Sequence, residues 1–249
     1  MYLYAAVPTK DRPGNVALAL TALALELPED STLALYDDGH RPATADYATR
    51  FALDLAVQRG VNVEVKRGKP QGINQARANM LVDAGTRGFE QLWMVDDDIV
   101  SPQGSLLKLQ QVLKAIPEAQ YSVPVIGLAN NEAGVDRFGE VDEATSTHNQ
   151  QFVLNGKGLH PIVGGAWTCS ILFDLKRIDA IECAQRLRAG PKVVEDYQLT
   201  QPLKGYVDRS LIAWHCMTPE QGDRNWHSYA LAWVREQLGK PSEIDSKNP

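Results

Sequence analysis

The chain has 249 residues, 44% of them hydrophobic, with a formal net charge of −6 and a pI near 5.4. This length and this apolar share are sufficient for one large α/β domain with a substantial core. The acidic balance argues against a surface built mainly to bind nucleic acid, since phosphate binding needs clustered Lys and Arg side chains. The sequence shows neither a signal peptide nor an apolar run of membrane-spanning length, so we expect a soluble cytoplasmic protein.

Short apolar runs alternate with segments of helical periodicity through the first hundred residues. Strands are predicted over residues 2–8, 32–36, 61–66 and 91–95, and helices over residues 13–27, 43–58 and 74–84. This alternation predicts a mostly parallel sheet with helices on both faces, in which ligands bind beyond the carboxyl ends of the strands. Residues 1–100 are therefore the candidate nucleotide-binding half of a single domain.

The second half of the chain is less regular. The pair Ser101-Pro102 predicts the start of a helix, and the later elements are strands over residues 121–128 and 209–214 and helices over residues 176–187, 196–204 and 226–238. Residues 130–149 are polar and indicate a hairpin or a mobile loop of the kind that closes over substrates. We assign residues 101–240 to the acceptor-binding half of the domain and residues 241–249 to a flexible tail.

Three consecutive aspartates, Asp96, Asp97 and Asp98, follow the apolar run at 92–95. Like charges this close raise each other's pKa values unless a cation lies between them, so the run predicts a metal site. Side chains alternate along a strand, and we therefore expect Asp96 and Asp98 to share one ion while Asp97 faces elsewhere or contacts a ribose. Carboxylate oxygens suit Mg²⁺ or Mn²⁺. The alternative is an acidic turn that caps the following helix.

Two further features become candidates once a metal site is considered. Glu195 and Asp196 stand at a predicted helix start, where acids also interact favourably with the helix dipole without any catalytic role. His215 follows the apolar strand at 211–214, and it fits a metal ligand as well as it fits a core histidine. Both interpretations stay open on these residues alone.

Seven segments together carry a family resemblance. They are VPTKDRP at 7–13, LYDDG at 35–39, GINQARANMLVDAG at 72–85, MVDDDIV at 94–100, GGAWTCSILFDLKRI at 164–178, VVEDYQLTQPLKGY at 193–206 and AWHCM at 213–217. In this order and spacing they resemble the GT-A glycosyltransferases, particularly the inverting family two group, over nearly the whole chain. The resemblance implies a Rossmann-like GT-A fold and metal-dependent transfer of a hexose, in the EC 2.4 class, from a nucleotide-sugar to an acceptor hydroxyl. A UDP-sugar is the favoured donor, and the transfer is expected to invert the anomeric centre in a single displacement.

The resemblance also implies roles for individual residues. The metal ligands are Asp96, Asp98 and His215, with Mn²⁺ or Mg²⁺ as the ion. Asp196 takes the proton from the acceptor hydroxyl, and Glu195 supports it or binds the acceptor. The nucleotide side is assigned to Pro8, Thr9, Asp11, Arg12, Asp38 and Asp97, and the diphosphate or sugar to Arg77. The sequence lacks the long C-terminal extension, the membrane helix and the Gln-x-x-Arg-Trp motif of many relatives, so we expect a single transfer instead of processive synthesis.

Other functions fit parts of the same pattern. Residues 96–100 match the Asp-x-Asp-x-Val motif of haloacid-dehalogenase-like phosphatases, in which Asp96 is a nucleophile and Asp98 a general acid, although that motif normally follows the first strand. A nucleotidyltransferase would share the sheet and the metal, and a sugar- or nucleotide-binding module would share the fold without catalysis. The acceptor is open: a saccharide is favoured, and a modified DNA base is compatible with a small transferase but unsupported by the charge.

Overall fold

The structure is a computed structural model that describes residues 2–128, 158–162, 166, 169–190 and 195–215. These residues belong to one compact unit that spans Met1–Cys216. Several predicted features lie outside the described residues, namely the loop at 130–149, Gly164-Gly165, the helix at 226–238, the domain boundary at 240 and the tail at 241–249.

The first half alternates strands and helices as the apolar pattern predicts. Its elements are β1 (Leu3–Thr9), α1 (Pro13–Glu26), β2 (Thr32–Asp37), α2 (Tyr47–Gln58), β3 (Asn62–Arg67), α3 (Ile73–Thr86) and β4 (Gln91–Val95). Every residue of β1 and β2 is buried, which explains why these strands have continuous apolar runs instead of alternating ones.

The second half contains shorter helices and a longer last strand than the sequence suggests. Its elements are β5 (Ile99–Val100), α4 (Ser105–Ala115), β6 (Tyr121–Leu128), β7 (Leu159–Pro161), β8 (Ser170–Asp174), α5 (Ala180–Ala189), α6 (Glu195–Thr200) and β9 (Gly205–His215). The helix predicted over residues 196–204 therefore ends at Thr200, and the strand predicted to begin at 209 begins at Gly205.

Nine strands of the described residues form one sheet. The order is β3-β2-β1-β4-β8-β6-β9-β5, and β7 pairs with β9. The β3-β2-β1-β4 half is parallel, so the carboxyl ends of these four strands meet at one edge. Antiparallel pairing enters at β8, which lies between β4 and β6, and β9 pairs parallel with β6 and antiparallel with β5.

Helices cover both faces of the sheet, as predicted. Leu3, Ala5 and Val7 of β1 point into a core shared with α1, α2 and α4. Tyr4 and Ala6 point to the opposite face, where the core is shared with α3 and α5. The α/β architecture expected from the sequence is therefore confirmed. No helix of the described residues is long and apolar enough to cross a membrane.

The predicted start of the helix after the aspartates is wrong. Ser101 does not cap it, because α4 begins at Ser105 and its N-cap is Gly104, whose φ of +86° is one that glycine adopts without strain. The free N–H groups at this terminus are bound by Glu26 of α1, whose carboxylate accepts from Gly104 at 2.8 Å and from Leu106 at 2.6 Å. A cap supplied by a side chain 78 residues away leaves no local signal.

Two other helix starts differ for a local reason. The helix predicted over residues 43–58 divides at Asp46, whose carboxylate accepts hydrogen bonds from the N–H groups of Ala48 and Thr49 and starts α2. Asp179 caps α5 in the same way, so that helix begins at Ala180 instead of Lys176. In both cases an Asp side chain forms the N-cap inside a segment that periodicity alone makes continuous.

Gly205 provides a test of the packing between β6 and β9. Its backbone lies directly against the buried ring of Tyr121, so a Cβ atom at this position would overlap the ring. We expect Gly205→Ala to lower the free energy of unfolding by about 1–3 kcal/mol, because the ring has no space to move away. Urea denaturation measures the change. Gly68→Ala is the control, since a Cβ there meets nothing within 4 Å; equal stability of the two variants would contradict the expectation.

Candidate functional site

The three aspartates lie in a turn between β4 and β5, and not in a strand. β4 ends at Val95, the N–H of Ile99 donates to the carbonyl of Asp96 at 3.1 Å, and the N–H of Asp96 donates to the carbonyl of Cys169 at 2.8 Å. Strand alternation therefore does not decide where these side chains point, and that part of the sequence reasoning was wrong. The conformation of the turn instead places each carboxylate beside different side chains.

Asp97 is held by residues of the loop after β1. Its side chain is only 1% exposed; one carboxylate oxygen accepts the hydroxyl of Thr9 at 2.7 Å, and the other lies 3.1 Å from the guanidinium of Arg12. Burial raises the pKa of Asp97 to about 7, against the opposing effects of Arg12 and Thr9. Asp97 therefore joins β1 to the turn, and it reaches a ligand only through these partners.

Arg12 and His215 both face Asp98. Arg12 Nη1 donates to Oδ2 of Asp98 at 2.8 Å, and Nε2 of His215 lies 3.3 Å from the same oxygen. His215 reaches this place because the end of β9 pairs with β5, where His215 is opposite Ile99. The predicted convergence of the late histidine with the aspartate run is thus present in the fold.

The register of β9 depends on an irregularity earlier in the strand. Pro124 and Val125 of β6 are consecutive, yet their partners on β9 are Asp208 and Ile212. At this bulge the carboxylate of Asp208 accepts the N–H and the hydroxyl of Ser210 at 2.8 and 2.7 Å. The bulge breaks the ladder and sets the register in which His215 meets the turn.

Arg77 connects the turn to the start of α6. It lies on α3 and is 3% exposed. Nη1 donates to Asp196 at 2.7 Å, and Nη2 donates to both oxygens of Asp96 at 2.8 and 3.0 Å. Burial raises the pKa of Asp96 to about 6, against the charge of Arg77 and together with the nearby carboxylates of Asp98 and Asp196. Asp96 and Asp196, separated by a hundred residues, are therefore neighbours.

The donor set at this edge suits a divalent ion. Asp96 and Asp98 offer carboxylate oxygens and His215 an imidazole nitrogen, a combination that Mn²⁺ accepts readily and Mg²⁺ less so. Within the described part of the chain no three such side chains already surround one point, since Arg12 and Arg77 contact the carboxylates. The residue types fit the metal predicted from the sequence, and Arg12 and Arg77 place positive charge beside the carboxylates.

Asp11 and Asp38, both predicted to face the nucleotide, bind backbone in this structure. Asp11, at φ +55°, accepts the N–H of His40 at 2.8 Å and approaches the imidazole of His40 at 2.7 Å. The hydrogen bond from His40 holds the pKa of Asp11 below its usual range. Asp38 accepts the N–H groups of Gln71 and Gly72 at 2.6 and 2.8 Å. These two carboxylates fix the loops that follow β1, β2 and β3.

The same edge contains a cavity of about 280 Å³ that the sequence did not reveal. It lies between the ends of β2 and β3 and the outer side of α3, and its polar lining includes Asp38, Lys66, Lys69, Gln71, Asn79 and Asp83. Inside it Asp83 accepts the hydroxyl of Tyr36 and the ammonium of Lys66, each at 2.6 Å. A signal existed in the spacing of Asn79 and Asp83, which stand four residues apart on one helical face.

The remaining predicted residues are only partly described. Pro8 lies in β1 beside Thr9 and is buried. Glu195 is the first residue of α6, next to Asp196, and its side chain lies outside the described part of the structure. The candidate base and its neighbour therefore share a helix start, as expected from the sequence.

No protein-family model and no curated protein sequence matches the chain. Solved structures match it in fold. The mannosyltransferase PcManGT from Pyrobaculum calidifontis, in complex with GDP-Man and Mn²⁺, has 15% identity and a TM-score of 0.58; the match covers 91% of this chain and 59% of that one. S. aureus TarS 1-349 in complex with UDP-GlcNAc has 11% identity and a TM-score of 0.56, and the match covers 94% of this chain and 65% of that one. GalNAc-T7 with UDP, GalNAc and Mn²⁺ has 13% identity and a TM-score of 0.59, and the match covers 89% of this chain and 45% of that one.

The chain has the GT-A fold of glycosyltransferases, which confirms the fold class predicted from the sequence. At these identities the similarity concerns the fold. The chain spans less than two thirds of the length of each of the three structures.

The role of Asp38 can be tested by hydrogen exchange. Because its carboxylate accepts two backbone N–H groups, Asp38→Ala should accelerate exchange of the Gln71 and Gly72 amides by at least about tenfold. Amide-resolved hydrogen–deuterium exchange measures this. Asp54→Ala, on the exposed side of α2, serves as the control and should leave both amides unchanged. Unchanged exchange in Asp38→Ala would show that the loop closes without this carboxylate.

Proposed function

We propose that the chain is a metal-dependent glycosyltransferase that moves a sugar from a nucleotide-sugar to an acceptor hydroxyl by an inverting single displacement. The main support is the convergence of Asp96, Asp98, His215 and Asp196 at one edge of a GT-A sheet. These residues come from the turn between β4 and β5, from β9 and from α6, so the grouping is a property of the fold and not of any one segment.

The metal side of the site is assigned to Asp96, Asp98 and His215. These three residues would hold Mn²⁺ or Mg²⁺, which would supply positive charge to stabilise the leaving nucleotide diphosphate. Mn²⁺ accompanies the nucleotide or nucleotide-sugar in two of the similar structures, which supports this assignment. The side chains of Asp96 and His215 are 22% and 16% exposed, and a ligand can reach these exposed parts.

The nucleoside is assigned to the edge beside β1, β2 and β3. Pro8, Thr9, Asp11, Arg12, Asp38 and Asp97 lie in or against the loops there, and the cavity between β3 and α3 adjoins Asp38. Arg12, 34% exposed, is the cation of this group best placed to meet a phosphate. A UDP-sugar is our first choice of donor, since UDP or UDP-GlcNAc is bound in two of the similar structures. The third structure contains GDP-Man, so guanine nucleotide-sugars are also candidates.

The acceptor side is assigned to Asp196 with Glu195. Asp196 accepts the proton of the acceptor hydroxyl as its oxygen attacks the anomeric carbon. The bond from that carbon to the diphosphate breaks on the opposite face, so the configuration inverts. The side chain of Asp196 is 24% exposed, which leaves part of the carboxylate open to an acceptor. A saccharide is the proposed acceptor, and a hexose the proposed sugar.

The phosphatase alternative has less support from the geometry. Both oxygens of Asp96 accept hydrogen bonds from Arg77, and the motif follows the fourth strand along the chain instead of the first. A nucleophilic carboxylate needs one oxygen free to attack phosphorus.

A thermal-shift screen tests the donor and the metal together. UDP-, GDP-, TDP- and CMP-sugars are added with and without Mn²⁺, and we expect one nucleotide to raise the melting temperature only when Mn²⁺ is present. Asp98→Asn should abolish the shift, because it removes a metal ligand, whereas Asp54→Asn on α2 should retain it. If no nucleotide raises the melting temperature with the metal, the transferase proposal is wrong.

The catalytic base is tested by Asp196→Asn. We expect turnover of the donor found in the screen to fall roughly 100- to 10,000-fold, the range typical for loss of a general base. Binding of the Mn²⁺–nucleotide should persist, since Asp196 is on the acceptor side. Coupled release of the nucleotide diphosphate measures turnover, with Asp54→Asn as the control. Full turnover in Asp196→Asn would contradict the assignment.

A further inference from the structure

We propose that Arg77 is a positioning residue that holds the candidate base Asp196 at a fixed place beside the metal-side carboxylate Asp96. This inference rests on the proposed function, because it concerns how the base of that reaction is placed. It gives Arg77 a role different from direct contact with the diphosphate or sugar.

The geometry of the guanidinium supports this role. Nη2 donates to both oxygens of Asp96 and Nη1 donates to Asp196, at distances of 2.7–3.0 Å. Two nitrogens of one planar group thus bind two carboxylates, and the rigid fork fixes the separation between them. A lysine ammonium has the same charge, but as a single point donor it does not impose this separation.

The burial of Arg77 argues against a primary contact with the donor. Its side chain is 4% exposed, whereas those of Asp96 and Asp196 are 22% and 24% exposed. A ligand at this edge therefore meets the carboxylates before it meets the guanidinium. A diphosphate would have to displace one of them, which would leave a carboxylate without its counter-charge in a desolvated place.

The backbones that carry the two carboxylates are held in different ways. The backbone of Asp96 is fixed by the turn, through its N–H to Cys169 and its carbonyl to Ile99. Asp196 lies in the first turn of α6, a helix of six residues. Its own carbonyl accepts the hydroxyl of Thr200 at 2.7 Å, which orders the helix but does not direct the Asp196 side chain. The bridge therefore links a carboxylate in a hydrogen-bonded turn to a carboxylate at the start of a short helix.

Arg77→Lys is the informative variant, because it keeps the charge and removes the fork. We expect kcat to fall roughly 10- to 100-fold, the penalty for a misplaced catalytic group, while the donor KM and the Kd of Mn²⁺–nucleotide change less than about threefold. Arg87→Lys is the matched control: Arg87 follows α3 directly and makes a two-nitrogen contact with Glu64 away from this edge. It should leave kcat and KM unchanged.

Kinetics in an Asp196→Asn background separate positioning from donor binding. If Arg77 acts through Asp196, adding Arg77→Lys to Asp196→Asn should lower kcat by less than twofold further. A rise in donor KM and Kd with kcat retained, or a full additional loss in the double variant, would overturn the proposal and make Arg77 a donor-binding residue.

A second measurement distinguishes failure of this inference from failure of the proposed function. Melting temperatures of Arg77→Gln, Asp196→Asn and the double variant test the bridge without any substrate. Coupled groups give a double variant whose loss is smaller than the sum of the single losses. Additive losses would overturn the inference even in an active transferase. A wild-type protein that binds no nucleotide would instead refute the proposed function, and with it the catalytic role of the bridge.

Discussion

The structure depends on the balance of four carboxylates by two arginines at one edge of the sheet. Asp96, Asp97 and Asp98 of the turn after β4 lie near Asp196 at the start of α6, and mutual repulsion would separate them without nearby positive charge. Arg12, at the start of α1, binds two of these carboxylates, and Arg77 of α3 binds the other two. Both arginines come from the first half of the domain, so this balance also ties the parallel half of the sheet to the mixed half.

Alternation of apolar runs was sufficient for the architecture, because β1 and β2 are buried along their whole length and the helices carry one apolar face each. The convergence of Asp96, Asp98 and Asp196 with His215 was expected from the order of the motifs. Three features had no local signal. Glu26 caps α4 across 78 residues, Arg77 reaches Asp196 across 119, and the antiparallel insertion of β8 depends on partners chosen by packing. The turn at 96–98 was mistaken for strand because two backbone hydrogen bonds define it: the Asp96 N–H donates to the Cys169 carbonyl, and the Ile99 N–H donates to the Asp96 carbonyl.

Carboxylates hold the polar loops at the same edge. Asp37 accepts the N–H groups of Gly39 and Ala43, and Asp11 and Asp38 bind the backbone of neighbouring loops. Carboxylates that hold loops in this way reduce the entropy lost when a ligand arrives. Motif matching assigns Asp11 and Asp38 to the nucleotide, and their hydrogen bonds show that both carboxylates hold loops.

The charge balance also bears on how metal and donor would enter the proposed site. A divalent ion alone adds about two positive charges beside Arg12 and Arg77, whereas a nucleotide diphosphate carries about two negative charges that offset them. Entry of the pair would leave the net charge at the edge almost unchanged. An ion that entered alone would compete with two guanidinium groups for the same carboxylate oxygens. Under the proposed function, the two arginines would therefore favour joint binding of metal and donor over binding of the metal alone.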